Sequence, residues 1–248
     1  MTYLIIGASS GLGRELAVLF AKKNCNLIIV SRDERDLIAI KSDLEIKYKI
    51  NVNFLALDFS SIDEIDKKLF SKKNLLEELQ GVLFPIGTMF EEDNTMLNAM
   101  SINKLLNSNY ISIVYTIQRL RKCLSNNKKF TITGFGSVSS FLGRRINSVY
   151  AGAKRALESY FESLAFDQNF KNINIQFYTL GYLDTNLSFG KDLKLPTGSI
   201  KKLSEIVYKN KNANFKKLIF PRYWKVVDWI IKLTPFSIMR KFAKILSK

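Results

Sequence analysis

"TYLIIGASSGLG" (residues 2–13) sets an apolar run directly against a turn carrying Gly7, Gly11 and Gly13. Five residues rich in β-branched and aliphatic side chains, ended by glycine, predict a buried strand. The "GRELAVLFAKKN" that follows has the spacing of an amphipathic helix. A glycine turn between a strand and a helix lets the backbone approach a ligand closely. It also points the first helical N–H groups at that ligand, an arrangement suited to a pyrophosphate. The backbone of Ser9, Ser10, Gly11 and Leu12 would form that contact. The spacing is G-x-x-x-G-x-G, which differs from the commonest dinucleotide fingerprint.

The same alternation continues along the chain. "NLIIVS" (26–31), "NVNFLALDF" (51–59), "GVLFPIG" (81–87), "KKFTITGFGS" (128–137) and "NINIQFYTL" (172–180) read as strands. Helical patterns fall between them, including long ones over roughly 96–124 and 148–168. Apolar strands alternating with helices predict an α/β fold, a doubly wound, mostly parallel sheet covered on both faces. Its ligand site would lie beyond the carboxyl ends of the strands. Residues 1–190 are expected to form the dinucleotide-binding and catalytic domain, 191–220 a substrate lid and the last strand, and 221–248 a basic amphipathic extension.

Composition narrows the chemistry. The 248 residues contain no histidine, which excludes Ser-His-Asp and Cys-His catalysis and the common zinc sites. Cys25 and Cys123 fit neither a disulfide framework nor a metal-ligand spacing, so no metal is expected and a reduced, cytoplasmic compartment is. No signal peptide and no membrane-spanning run is visible. The formal net charge is +16, and residues 191–248 carry fifteen Lys and Arg against three acids. That skew suits an anionic partner or mere solubility. Nucleic acid is not expected, because the basic tail interleaves its charges with a strongly apolar face.

Four features sit at expected strand ends. Ser31 and Arg32 close the second strand, where a guanidinium suits a ribose 2′-phosphate; Asp33 is an alternative acceptor for a ribose hydroxyl. NADP(H) is therefore favoured, with NAD(H) the alternative. Asp58 and Phe59 close the third strand, Gly87 follows the fourth, and Ser137 ends the fifth. Thirteen residues later, "VYAGAK" places Tyr150 and Lys154 four apart, on one face of a helix.

Together these residues resemble the short-chain dehydrogenase/reductase family over roughly residues 2–190. The resemblance implies a catalytic set of Asn109, Ser137, Tyr150 and Lys154, with Asp58 as an adenine contact. It also implies a homodimer or homotetramer through the two long helices. The chemistry is coherent: a free tyrosine has a pKa of ~10, and a neighbouring ammonium favours its phenolate. Tyr150 would protonate the alkoxide formed from a ketone, Ser137 would bond the substrate oxygen, and Lys154 would also bind the nicotinamide ribose. Asn109 would hold a water linking Lys154 to solvent. Departures are "FPIG" (84–87), where the family carries Asn-Asn-Ala-Gly, and Leu180-Gly181, where it carries Pro-Gly. Thr185 is retained as a nicotinamide or pyrophosphate contact. A catalytically silent dinucleotide-binding regulator or scaffold is the alternative reading.

Arg144 and Arg145, just before the tyrosine, are expected beside the substrate pocket, suited to phosphate or carboxylate. In "RYWKVVDWIIKL", Lys225, Asp228 and Lys232 share one stripe of an otherwise apolar helix. Beyond Pro235, Arg240, Lys241, Lys244 and Lys248 lie opposite Phe236, Met239, Phe242, Ala243 and Leu246. A basic amphipathic helix suits a membrane surface, so peripheral contact with the inner face of a membrane is one expectation, and packing of the tail against the body or a partner subunit is the other. "FGSVSSFLGRRINSVYAGAK", "PRYW" and "TPFSIMRKF" are similar to the polyprenyl-phosphoryl 2-keto-pentose (decaprenylphosphoryl-2-keto-ribose) reductases. That resemblance implies reduction of a sugar-linked ketone carried on a lipid phosphate in surface-polysaccharide synthesis.

Overall fold

Each apolar run becomes a strand whose alternate residues feed two cores. In the computed structural model, residues 1–94, 96–123, 129–143, 145–167, 172–184, 195–213 and 216–240 are described. The strands are β1 (Thr2–Ile6), β2 (Asn26–Ser31), β3 (Val52–Ala56), β4 (Leu79–Phe84), β5 (Phe130–Ser137), β6 (Ile173–Leu180) and β7 (Lys216–Phe220). They form one sheet in the order β3-β2-β1-β4-β5-β6-β7, and every pairing is parallel. The last strand of the chain, expected within 191–220, thus joins the same sheet.

Within β1, Leu4 and Ile6 enter one core while Tyr3 and Ile5 enter the other, the period-two alternation of a sheet covered on both faces. The second core is closed by α1 (Gly11–Lys22), α2 (Glu34–Tyr48) and α8 (Ile200–Asn210). The first is closed by α6 (Ser112–Cys123) and α7 (Ser148–Phe166). Ahead of α6 come α5 (Ala99–Leu106) and a π-helical stretch, Asn107–Ile111. The single helix expected over 96–124 is therefore interrupted where an extra residue is accommodated, a distortion often found at functional sites. Two short helices, α3 (Ile62–Glu64, continued as a π turn) and α4 (Lys73–Glu77), cross from β3 to β4, and α9 (Trp224–Leu233) follows β7.

Leu157 and Phe161 of α7 are fully buried and Leu164 nearly so. At ~1.5–3 kcal/mol for each such side chain, they seat α7 firmly against the sheet. The strand order reverses between β1 and β4, so the switch point, and the cleft, lie at the carboxyl ends of those two strands.

Candidate active site

The glycine turn shapes one end of the cleft. After β1 the chain passes Gly7 at φ +92° and Gly11 at φ +50°, a region side chains avoid. A Cβ on Gly13 would lie 1.9 Å from the Gly7 carbonyl oxygen, so only glycine lets α1 start this close to the strand. Gly13 does not border the cleft; it permits the approach that places Gly7, Ser9, Ser10, Gly11 and Leu12 there. Ser10 is the N-cap residue, yet its side chain makes no capping bond and the first turn of α1 carries no acid. Uncapped N–H groups beside a glycine cradle fit a pyrophosphate.

Ser31 and Arg32 border the same cleft past β2. Asp33 does not, because it is consumed as the N-cap of α2. Its Oδ1 accepts from the Arg35 amide at 2.9 Å and the Asp36 amide at 3.4 Å, and its Oδ2 pairs with the Arg35 guanidinium at 3.2 Å. Asp58 accepts from the Ser60 amide and hydroxyl at 2.9 and 2.8 Å. Burial pushes its carboxyl up. The Ser60 bonds and the charges of Arg32 and Lys104 outweigh that, and the net direction is down. Asp58 and Phe59 both border the cleft.

At the other end, Tyr150 stands in the first turn of α7 with Lys154 one turn on, its Nζ 5.9 Å from the tyrosine ring centroid. Lys154 is 2% exposed. Its ammonium donates to the Ile86 carbonyl (3.1 Å), just past β4, and to the Phe135 carbonyl (3.0 Å) on β5. Ile86 stands within the stretch that replaces the family's two asparagines, and it serves through its backbone. Burial alone lowers Lys154 to about 8. Ser137 ends β5 and, like Tyr150, borders the cleft, its hydroxyl accepting from the Ser139 amide at 3.2 Å.

Asn109 lies in the π-helical stretch and is fully buried. Its Nδ2 donates to the carbonyls of Thr88 (2.8 Å) and Leu105 (3.0 Å), and its Oδ1 accepts from the Thr88 amide (3.2 Å). Ser108, not Asn109, borders the cleft. Asn109 thus ties the segment after β4 to the helix. It meets Lys154 across Gly87: a Cβ there would lie 3.5 Å from Asn109 Oδ1 and 3.7 Å from Lys154 Nζ.

One residue of this end is invisible in the sequence. Asp93, fully buried, accepts from the Ser148 hydroxyl (3.0 Å), the Val149 amide (3.1 Å) and the Tyr150 amide (2.9 Å). It caps α7 from more than fifty residues away. Asn147, the local N-cap position, is left-handed (φ 58°) and makes no side-chain cap. Since asparagine is itself a favoured cap, the sequence shows no vacancy for Asp93 to fill.

Arg145 borders the cleft at its solvent edge; Arg144 and Thr185 lie outside the described residues, as does the tail from Lys241 onward. Gly181 borders the cleft too, and a Cβ on it would meet the Trp224 indole nitrogen at 2.0 Å. Trp224, Val227, Ile231, Leu195 and Arg240 complete the far wall of a cavity of about 1160 Å³. That is room for a dinucleotide and a second molecule.

The family model described as short chain dehydrogenase matches residues 1–193. The chain belongs to the short chain dehydrogenase family. A very-long-chain 3-oxoacyl-CoA reductase of Candida glabrata is 30% identical over 205 residues, covering 74% of this chain and 56% of the relative. The chain thus spans little more than half the length of that protein. A second protein of that name, from Podospora anserina, is 27% identical over 93% of this chain and 70% of its own. An 11-beta-hydroxysteroid dehydrogenase A of Arachis hypogaea is 27% identical over 92% and 70%. The fold is shared with a short-chain dehydrogenase of Sphingobium yanoikuyae in complex with NADPH (TM-score 0.76, 22% identity, 93% of each chain). It is shared too with the L-sorbose reductase of Gluconobacter frateurii complexed with NADPH and L-sorbose (TM-score 0.78, 16% identity, 88% of this chain and 93% of that one). These three relatives are named for acyl and steroid substrates, not for a lipid-linked keto-pentose. Among the described residues no helix is long and apolar enough to cross a membrane.

Proposed function

We propose that the protein reduces a ketone to a secondary alcohol with NADP(H), using Tyr150 as the acid. The observation that carries this is the buried Lys154 ammonium, held by two strand-end carbonyls beside the Tyr150 ring. When bound, NADPH supplies a hydride to the carbonyl carbon. As the C=O π pair moves onto oxygen, Tyr150 donates its phenolic proton and the alcohol is complete. Lys154 stabilises the phenolate left behind, because its ammonium lies beside the ring in a site where little water screens the attraction. Ser137 donates to the carbonyl oxygen, placing a dipole where negative charge develops. Asn109 acts through its hold on Thr88, fixing the segment that carries the Ile86 carbonyl and hence Lys154. Asp93 fixes the first turn of α7 and with it the tyrosine.

NADP(H) is favoured over NAD(H) because Asp33 is spent on capping α2, leaving Arg32 to meet the ribose. Asp58 and Phe59 would flank the adenine, and the turn from Gly7 to Leu12 would hold the pyrophosphate. The ketone we assign is one joined to a long apolar chain and a phosphate. Support comes from the apolar wall of Trp224, Val227 and Ile231 and from Arg145 and Arg240 at the cleft. The relatives' acyl and steroid names agree with such a wall. A keto-sugar on a lipid phosphate and a long 3-oxoacyl thioester both meet that description. We take the protein to work as a homodimer or homotetramer on the cytoplasmic side, in peripheral contact with a membrane.

Purified protein given NADPH and each of those two ketones should oxidise the cofactor with at least one. Tyr150→Phe should abolish turnover while NADPH affinity stays within about twofold of wild type. Undiminished turnover in that variant would remove Tyr150 from the reaction.

A further inference from the structure

α9 has two apolar faces where one would suffice. At roughly 100° per residue, Trp224, Val227 and Ile231 fall on one side of the helix, and these line the cleft. Lys225, Asp228 and Lys232 fall on a second side, where Lys232 and Asp228 pair at 2.7 Å. Val226, Trp229, Ile230 and Leu233 fall on the third. These are 59%, 64%, 51% and 62% exposed, and Phe236 and Ile238 just beyond are 76% and 45% exposed. Six large apolar side chains bare on one short segment exceed what a monomer ordinarily leaves in water. Arg222, Lys225, Lys232 and Arg240 are all exposed on the same segment.

We propose that the outer face of α9 seats the protein on an anionic lipid bilayer, with the mouth of the cleft at the membrane surface. The charge decides between the candidate occupants. Pairing this face with a second copy of the chain would bring two sets of these cations together in a protein already at +16. An anionic leaflet neutralises the same rim while its acyl region covers Trp229, Ile230 and Leu233. Because the opposite face of α9 is the cleft wall, a ketone on an apolar carrier would pass from bilayer to Tyr150 along one helix without crossing water. Only this last step rests on the ketone-reductase reading; the docking surface stands apart from it.

The test uses the full chain with vesicles of phosphatidylcholine, pure or mixed with phosphatidylglycerol, alongside the double variant Trp229→Glu/Leu233→Glu. Wild type should sediment with the anionic vesicles and shift its tryptophan emission to the blue, while the variant binds on the order of tenfold or more weakly. The variant should keep wild-type NADPH affinity and wild-type reduction of a small water-soluble ketone, which shows that the fold and cleft survive. Wild type that ignores anionic vesicles overturns the proposal. So does equal binding by the variant, and so does a wild-type dimer that the double substitution splits into monomers. If neither protein reduces any ketone but the vesicle results hold, the reductase reading fails and the docking surface stands.

Discussion

Replacing Asp93 tests whether the catalytic helix is held by a cap borrowed from a distant segment. Asp93→Ala removes the acceptor for three donors, the Ser148 hydroxyl at 3.0 Å and the Val149 and Tyr150 amides at 3.1 and 2.9 Å. Loss of a helix cap costs about 1–2 kcal/mol, and a donor left unpaired away from water costs ~1–3. Val149 and Tyr150 are only partly exposed, so water recovers some of that loss and about 3 kcal/mol is expected in total. For a chain of this length that lowers the melting temperature by roughly 6–12 °C. Asp93→Asn keeps one acceptor oxygen but turns an NH2 towards a backbone N–H, so about half the effect is expected. The assay pairs urea unfolding with ketone turnover and NADPH titration at a temperature where all three proteins are folded. Turnover should fall by on the order of tenfold in Asp93→Ala, with NADPH affinity within about twofold, because the glycine turn lies on other elements. An alanine variant within about 0.5 kcal/mol of wild type and fully active would refute the capping role. Equal losses of NADPH affinity and turnover would reduce Asp93 to a general stabiliser.

Two further outcomes follow from groups at either end of the cleft. Burial lowers Lys154 from 10.5 to about 8, so between those values the unfolded chain keeps a proton that the folded chain has released. Stability should therefore rise with pH across that window, by about 3 kcal/mol in all. In urea unfolding from about pH 7.5 to 10, the advantage of Lys154→Met over wild type should shrink as pH increases; a constant gap would contradict the buried charge. Arg32→Gln should raise the KM for NADPH on the order of tenfold and leave that for NADH nearly unchanged, since a charge-assisted bond is worth ~1.5–3 kcal/mol. Equal effects on both cofactors would show that Arg32 does not read the 2′-phosphate.

Sequence reading reached what spacing records. The glycine turn, the strand-helix alternation and the Tyr150–Lys154 pair are local patterns, and the structure places them at the switch point where such patterns predict a site. Contacts between remote segments leave no spacing. Nothing in "EEDN" distinguishes Asp93 from its acidic neighbours, and nothing in "FPIG" shows that the backbone of Ile86, not a side chain, would meet Lys154. Asp33 looked open to a ribose until the start of α2 claimed it. The amphipathic reading of residues 224–233 found the polar stripe, but periodicity could not show which apolar face the protein covers.

The family match ends at residue 193, and the cleft wall of Leu195, Trp224, Val227, Ile231 and Arg240 lies wholly beyond it. The groups assigned to hydride and proton chemistry all come before that boundary. The molecule is therefore divided like an engine and an interchangeable fitting. On the proposed reading, substitutions at Leu195 and along the inner face of α9 would change which ketone fits and leave the groups assigned to proton transfer as they are, whereas α8 and β7 between them are held by the core. The joint between the two is Trp224 lying on Gly181, where no larger residue would let the fitting seat.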